Sequence, residues 1–366
     1  MKQLRNILSG IVLVLGFYAL PAFAQDAAPK DTLNQKANEI DVKEIVFGHI
    51  GDSYEWHITD IGQTSICIPL PIIVYSANSG WHAFLSSTLE ENGGVYEGFY
   101  MAPSGTKYEG KIVERNAAGE EVRPLDISIT KIVLSLFINS AILLFIILRV
   151  AHWYRRREQG ALAPGGFIGF MEMFIMMVHD DVIKSCAGPN YKKFAPYLLT
   201  AFFFIFINNI MGLIPIFPGG ANVTGNIAIT MVLAFCTFLA VNLFGTRTYW
   251  KEIFWPDVPW WLKVPIPMMP FIEFFGVFTK PFALMIRLFA NMLSGHMAML
   301  VLTSLIFITA SMGPAISASM TVASVLFNIF MNILEILVAF IQAYVFTMLS
   351  AVFIGLAQEK KEEELI

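Results

Sequence analysis

The spacing of apolar and polar positions changes character twice along this chain. Residues 1–24 open with Lys2 and Arg5, continue in an apolar run, and close on Ala22-Phe23-Ala24 before Gln25. A basic start, an apolar stretch and a small-residue site in that order predict a secretory signal peptide cut after Ala24. Residues 25–41 are polar. From about 42 to 126 the apolar positions fall in short clusters rich in β-branched and aromatic residues: CIPLPIIVY at 67–75, GVYEGFYM at 94–101 and TKYEGKIVE at 106–114. Pro103-Ser104-Gly105 and Ala118-Gly119 supply turns between or after them. The pattern predicts that 25–126 is a small exported domain containing β-strands.

Beyond 126 the apolar runs lengthen. The run 132–148 is followed at once by Arg149, Arg155, Arg156 and Arg157, which marks a first membrane span running from outside to inside. The stretch 165–185 is apolar but carries Glu172, His179, Asp180, Asp181 and Lys184, the pattern of an interfacial or re-entrant helix. Residues 194–246 include no Asp, Glu, Lys, Arg or His, and Pro215, Pro218, Gly219 and Gly220 divide them. They predict a helical hairpin, 196–214 and 225–243. Arg247 and Lys251 then return the chain to the inner side, where Trp250, Trp255, Trp260 and Trp261 form an aromatic belt. Two longer helices follow, 267–311 and 315–357, separated near Met312-Gly313-Pro314. Each exceeds the ~20 residues needed to cross, so each must tilt, bend or overhang the bilayer. The fold class is thus an all-α polytopic membrane protein of about five transmembrane helices and one interfacial or re-entrant helix, with the exported domain ahead of it. The membrane domain covers 127–358, and 359–366 is a cytoplasmic tail.

Composition agrees. Hydrophobic residues are 56% and charged residues 14%, against roughly 25% charged in a soluble domain. A net charge of −4 offers no basic surface for nucleic acid. Cys67, Cys186 and Cys236 are scattered without CxxC spacing, so neither a disulfide framework nor a metal site is indicated. His49, Glu55 and His57 are close enough in sequence to be weighed as metal ligands, but ordinary surface or packing histidines are the favoured reading. No P-loop GxxxxGK[ST] pattern occurs, and no cofactor is expected.

The chemistry concentrates where charge is scarcest. From 274 to 357 the ionisable residues of Asp, Glu, Lys, Arg or His type are Lys280, Arg287, His296 and Glu335. Lys280 reads as a snorkelling cation. Arg287 remains protonated under any biological condition, and a charge at that depth costs at least ~2.5–3.5 kcal/mol and marks function by default. On ideal helices Asn291 lies about 6 Å beyond Arg287 on the same face, Glu273 about 21 Å before it, and His296 about 13.5 Å beyond on the opposite face. Glu335 and Gln342, seven apart, share a face of the last helix about 10.5 Å apart in depth. Two partial polar tracks therefore approach Arg287 from opposite sides, and neither crosses alone. That pattern suits a proton-handling device better than a continuous channel, a repeat-built transporter or an anchor.

With those residues in hand, the stretch from about 127 to 358 resembles subunit a of the F-type ATP synthase. The likeness rests on Lys280-Pro281, on Arg287-Leu288-Phe289-Ala290-Asn291, on Gln342-Ala343-Tyr344-Val345-Phe346, on Asn209 with Leu213-Ile214-Pro215, and on Glu172. The resemblance implies a non-catalytic, proton-conducting stator subunit of the bacterial inner membrane, with two offset half-channels. Its partners would be a ring of c subunits, the peripheral-stalk b subunits, the rest of the synthase and membrane lipid. Arg287 would meet the ring carboxylates and block leakage; Asn291 and Gln342 would be its polar partners. His296 and Glu335 would belong to the periplasmic entry and Glu273 to the cytoplasmic exit. In many relatives the acid lies on the first long helix and the histidine on the second; here they are exchanged, which would keep an acid–imidazole pair. Gly212 stands where some relatives carry an acid. The runner-up reading is the stator of another ion-driven motor or a self-contained proton transporter.

Overall fold

The computed structural model describes residues 51–61, 64–77, 79–103, 105–116, 119–156, 164–214, 217–255, 268–309 and 313–359. The expected signal peptide and polar lead-in, His49, Arg157, Pro215, Trp260, Trp261, Met312 and most of the cytoplasmic tail lie outside these residues.

The N-terminal part folds as three small antiparallel sheets. Strands β1 (Glu55–Ile61) and β2 (Thr64–Pro69) pair; β3 (Pro71–Ser76) lies between β4 (Gly80–Leu85) and β9 (Leu125–Asp126); and β5 (Val95–Tyr96), β6 (Phe99–Met101), β7 (Ile112–Arg115) and β8 (Glu121–Val122) form a meander. A short helix, α1 (Ser86–Glu91), follows β4. The 67–75 cluster contributes to two strands in different sheets. Pro69 and Pro71 lack the N–H groups a continuous ladder needs, and Leu70 between them donates instead to the Tyr54 carbonyl at 3.3 Å. The 94–101 cluster folds back at Glu97-Gly98, both at positive φ (50° and 87°), the twist a two-residue hairpin turn requires. Only 112–115 of the third cluster is strand; the residues before it make turns. Alternation along β3 turns Ile72 and Val74 inward, where they pack with Tyr54, Phe84, Leu89, Phe99 and Ile112.

The remainder is helical. Helix α2 (Lys131–Arg155) leads to α3 (Gly166–Met176), which continues as a π-helix over Met177–Lys184. Then come α4 (Tyr191–Leu213), α5 (Ile227–Leu243), α6 (Arg247–Phe254), α7 (Met268–Thr309) and α8 (Pro314–Gln358). Helices α2, α4, α7 and α8 are each long and apolar enough to cross a membrane, and α5 with α6 makes a fifth candidate bent by 101°. Neither α3 nor its π-helical continuation, which carries His179, Asp180, Asp181 and Lys184, is among the candidate spans. Helices α7 and α8, with 42 and 45 residues, extend over about 63 and 68 Å at 1.5 Å per residue, roughly twice a bilayer core. The fold is thus a mostly helical polytopic membrane protein with a β-containing N-terminal part.

Leu198, Phe202 and Ile205 of α4, Leu284 and Leu288 of α7, and Ala343, Phe346 and Ile354 of α8 share one apolar core with the π-helix residues Val178, Val182 and Ile183. Polar contacts tie α2 and α5 to α4 and α8 where lipid offers no competing partner. Asn139 Nδ2 donates to Asn208 Oδ1 at 3.0 Å, Tyr197 Oη and Thr237 Oγ1 lie 2.8 Å apart, and Thr237 Oγ1 and Ser350 Oγ lie 3.2 Å apart.

Candidate functional site

Arg287 sits near the midpoint of α7 and is exposed on the surface of the chain. Among the described residues it has neither an ion-pair nor a hydrogen-bond partner. Ala283, Ile286, Ala290, Asn291 and Ser294 are exposed with it, at the i, i+3, i+4, i+7 spacing of one helix face. Three of these are Ala or Ser, small enough to let another helix approach closely. Asn291, one turn on, donates from Nδ2 to Gln342 Oε1 across the α7–α8 contact at 2.8 Å. Gln342 is 3% exposed, so the pair presents one polar edge to the Arg287 face and roots the other in the core.

On the β-domain side the site deepens. His296 Nε2 faces the Gly212 carbonyl and Nδ1 the Met292 carbonyl, each at 3.1 Å. A neutral imidazole donates to one of these; the imidazolium donates to both. A Cβ built on Gly212 would lie 3.5 Å from His296 Nε2. The imidazole therefore takes up the space beside Gly212. Glu335 is 4% exposed and points at Gly295, the residue before His296. Its carboxylate occupies the place a side chain at 295 would take, and its Oε1 is buried without a hydrogen bond. The structure brings Glu335 and His296 to neighbouring positions, but no ion pair or hydrogen bond joins these two described residues; each has its own contacts.

Asn209 is buried, accepts from Thr224 Oγ1 at 2.6 Å and reaches the Ala339 carbonyl of α8 at 3.5 Å. Asn222 donates to the Met292 carbonyl at 3.2 Å, pinning the α4–α5 loop to α7 one turn before His296. Neither Asn222, Thr224 nor Gly295 carries a sequence signal of its own. Above His296 opens a cavity of about 570 Å³, whose walls include Asn222, Thr303, Asn328 and Asn332. Asn328 donates to Thr303 Oγ1 at 3.1 Å, closing one wall between α8 and α7.

On the other side of Arg287 the polar groups are sparser. Glu273 lies partly buried in the second turn of α7, within electrostatic reach of Tyr249 on α6. Tyr249 in turn donates to Asn242 at 3.4 Å. A chamber of about 20 Å³, enough for one water, is lined by Asn242, Tyr249 and Lys280 among others. Tyr249 was masked in the sequence by the aromatic belt around it. Glu172 of α3 lies within electrostatic reach of Tyr154 at the end of α2.

Two family models match. The one described as ATP synthase A chain covers residues 134–355. The chain belongs to the ATP synthase A chain family. The second model, a domain of unknown function (DUF8433), covers 45–127. The chain is 44% identical over 244 residues to an ATP synthase subunit a of Chlorobium phaeobacteroides, covering 65% of this chain and 67% of that one. It is 42% identical over 246 residues to the subunit a of Chloroherpeton thalassium, covering 65% and 68%. To that of Myxococcus xanthus it is 39% identical over 239 residues, covering 64% and 74%. The likeness expected from the arginine motif is therefore established for the family, and with it a multi-pass membrane subunit of an ATP synthase.

Proposed function

We propose that this chain carries protons across the membrane through two offset half-paths that meet a rotating ring of small c subunits at Arg287. The observation that carries this is the outward-facing, unpartnered guanidinium on a stripe of small residues. A cation at membrane depth with no counter-charge among the described residues of its own chain calls for a carboxylate on a neighbouring one.

A proton arrives from the β-domain side through the cavity to His296 and Glu335 and passes to a ring carboxylate, which becomes neutral and can enter lipid. A carboxylate returning from the other direction gives up its proton towards Glu273 and is held, ionised, by Arg287. Asn291 and Gln342 fix the polar edge along which this exchange occurs, and Asn209 braces α4 against α8. The fixed positive charge also opposes a proton running directly between the half-paths. The chain itself catalyses no nucleotide chemistry; it couples the gradient to ATP synthesis through the ring. The β-containing region, 25–126, lies on the periplasmic side, the membrane domain covers 127–358, and the C-terminus is cytoplasmic. Peripheral-stalk b subunits complete the stator.

Cross-linking tests the reading. After replacement of Cys67, Cys186 and Cys236, a cysteine at Ala290 should form a disulfide with one placed beside the ring carboxylate. A cysteine at the core residue Ala351 should not. Absence of the Ala290 cross-link in an assembled, coupled enzyme would remove α7 from the rotor face.

A further inference from the structure

We propose that the β domain forms the outer mouth of the proton entry path, with the Glu55 carboxylate as the group that takes protons from the external solution. This rests on the entry-side role of His296 given above. The cavity over His296 is not closed by membrane helices alone. Ser53, Glu55, His57 and Ile58 of the β domain form its outer wall, with Lys131 at the start of α2. Its volume of about 570 Å³ and its amide and hydroxyl lining suit a water-filled space holding on the order of ten molecules or more. One continuous chamber, its polar groups interleaved with apolar ones such as Trp56, Leu213 and Met299, therefore runs from β1 to His296.

The β domain is fastened over this chamber at defined points. Trp56, between Glu55 and His57, is 4% exposed and meets the Phe217 ring of the α4–α5 loop edge-on at 5.0 Å. Lys131 N donates to the Ser53 carbonyl at 2.9 Å, and Ile132 N donates to Asp52 Oδ1 at 3.2 Å. Leu70 N donates to Ser86 Oγ of α1 at 3.2 Å, and Ser86 N to the Leu70 carbonyl at 3.0 Å. The charged and titratable groups facing this mouth are Glu55, His57 and Lys131 on its wall, Glu90 within reach of Glu55, and Asp52 within reach of Lys131. Carboxylates outnumber the lysine, so the mouth attracts protons; focusing of this kind raises capture rates by about 10- to 1000-fold. Burial first, and then the Glu90 charge, push the Glu55 carboxyl above its ordinary value, which suits repeated uptake and release. The proton bound at Glu55 leaves through cavity water to His296, and Glu55 returns to its carboxylate.

The test uses the whole ATP synthase in vesicles with the β-domain side facing the lumen, at constant membrane potential. ATP synthesis is measured at a luminal pH of about 6 and about 8. In Glu55→Gln the ratio of the two rates should rise three- to tenfold over wild type, the low end of focusing effects, and Glu55→Asp should restore most of it. Thr303→Leu, which narrows the chamber midway, should raise the ratio as well, and serves if Glu55→Gln fails to assemble. Wild-type ratios in the assembled variants would overturn the proposal. Arg287→Ala in the same vesicles separates the two levels. Abolished synthesis there with a wild-type ratio in Glu55→Gln sinks only the mouth, whereas retained coupled synthesis sinks the motor reading beneath it.

Discussion

Gly295 offers a perturbation whose effect follows from the geometry around one methyl group. A Cβ at this position would fall on both carboxylate oxygens of Glu335, closer than the 3.0 Å that real Cβ contacts keep. To regain ordinary van der Waals separation the carboxylate must retreat by roughly 1 to 1.5 Å. The atoms displaced are the far end of a flexible side chain, so α7 and α8 need not part. Alanine also gains about 1 kcal/mol of helix propensity over glycine, which offsets part of the crowding. Gly295→Ala should therefore assemble normally and act on transport: a misplacement of about 1 Å in a reacting group costs up to about 100-fold in rate. ATP-driven acidification of inverted vesicles, followed with a quenched fluorescent base, measures the rate; recovery of the ring and ATPase subunits measures assembly. Gly276 on the same helix is the control, because a Cβ there meets nothing within 4 Å, and Gly276→Ala should be silent. Wild-type pumping by an assembled Gly295→Ala enzyme would refute the importance given to Glu335 at this position.

Three further outcomes follow from other contacts. Gly212→Ala should pump nearly normally, since its Cβ would lie 3.4 Å from the Ala221 carbonyl and 3.5 Å from His296 Nε2; Gly212→Val should displace the imidazole and slow pumping about tenfold or more. A double-mutant cycle of Asn291→Ala and Gln342→Ala on the pumping rate should give a coupling of about 0.5–1.5 kcal/mol, and strict additivity would mean that their 2.8 Å contact is not used. In the β domain, burial pushes the Asp126 carboxyl up, but hydrogen bonds from Ser128 and Tyr54 outweigh it and hold the group below its ordinary 3.8. A depressed carboxyl stabilises the fold above its unfolded value and loses that contribution as pH falls through the folded one. Protease resistance of this region in the full chain should therefore drop below about pH 4, and Asp126→Asn should flatten that dependence.

Much of the membrane part was legible because the bilayer permits few solutions. Apolar run lengths located α5, α7 and α8 to within about two residues and found α2 and α4 with one end each five to seven residues short, and a lone guanidinium in such a run announced itself by its cost. What the sequence withheld were contacts set by how helices dock. The Asn291–Gln342 bond depends on the register between α7 and α8, which helix periodicity leaves open. Gly295 carries no chemistry; it matters because Glu335 fills the space it leaves. The exchange of acid and histidine suggested a direct pair, whereas the fold gives His296 two carbonyls and sets Glu335 against a glycine. In the β domain, β-branched clusters indicated strands but not their breaks, since the prolines around Leu70 act through backbone N–H groups that apolar patterning ignores.

The central claim is that Arg287 is the fixed charge through which the ring is coupled to the gradient. Its most direct measurement is ATP-driven proton pumping by Arg287→Ala in the complete enzyme, with passive proton leak recorded in the same vesicles. Coupled pumping should be lost while the complex still assembles, and leak between the half-paths should rise. Coupled pumping retained by the variant would contradict the claim.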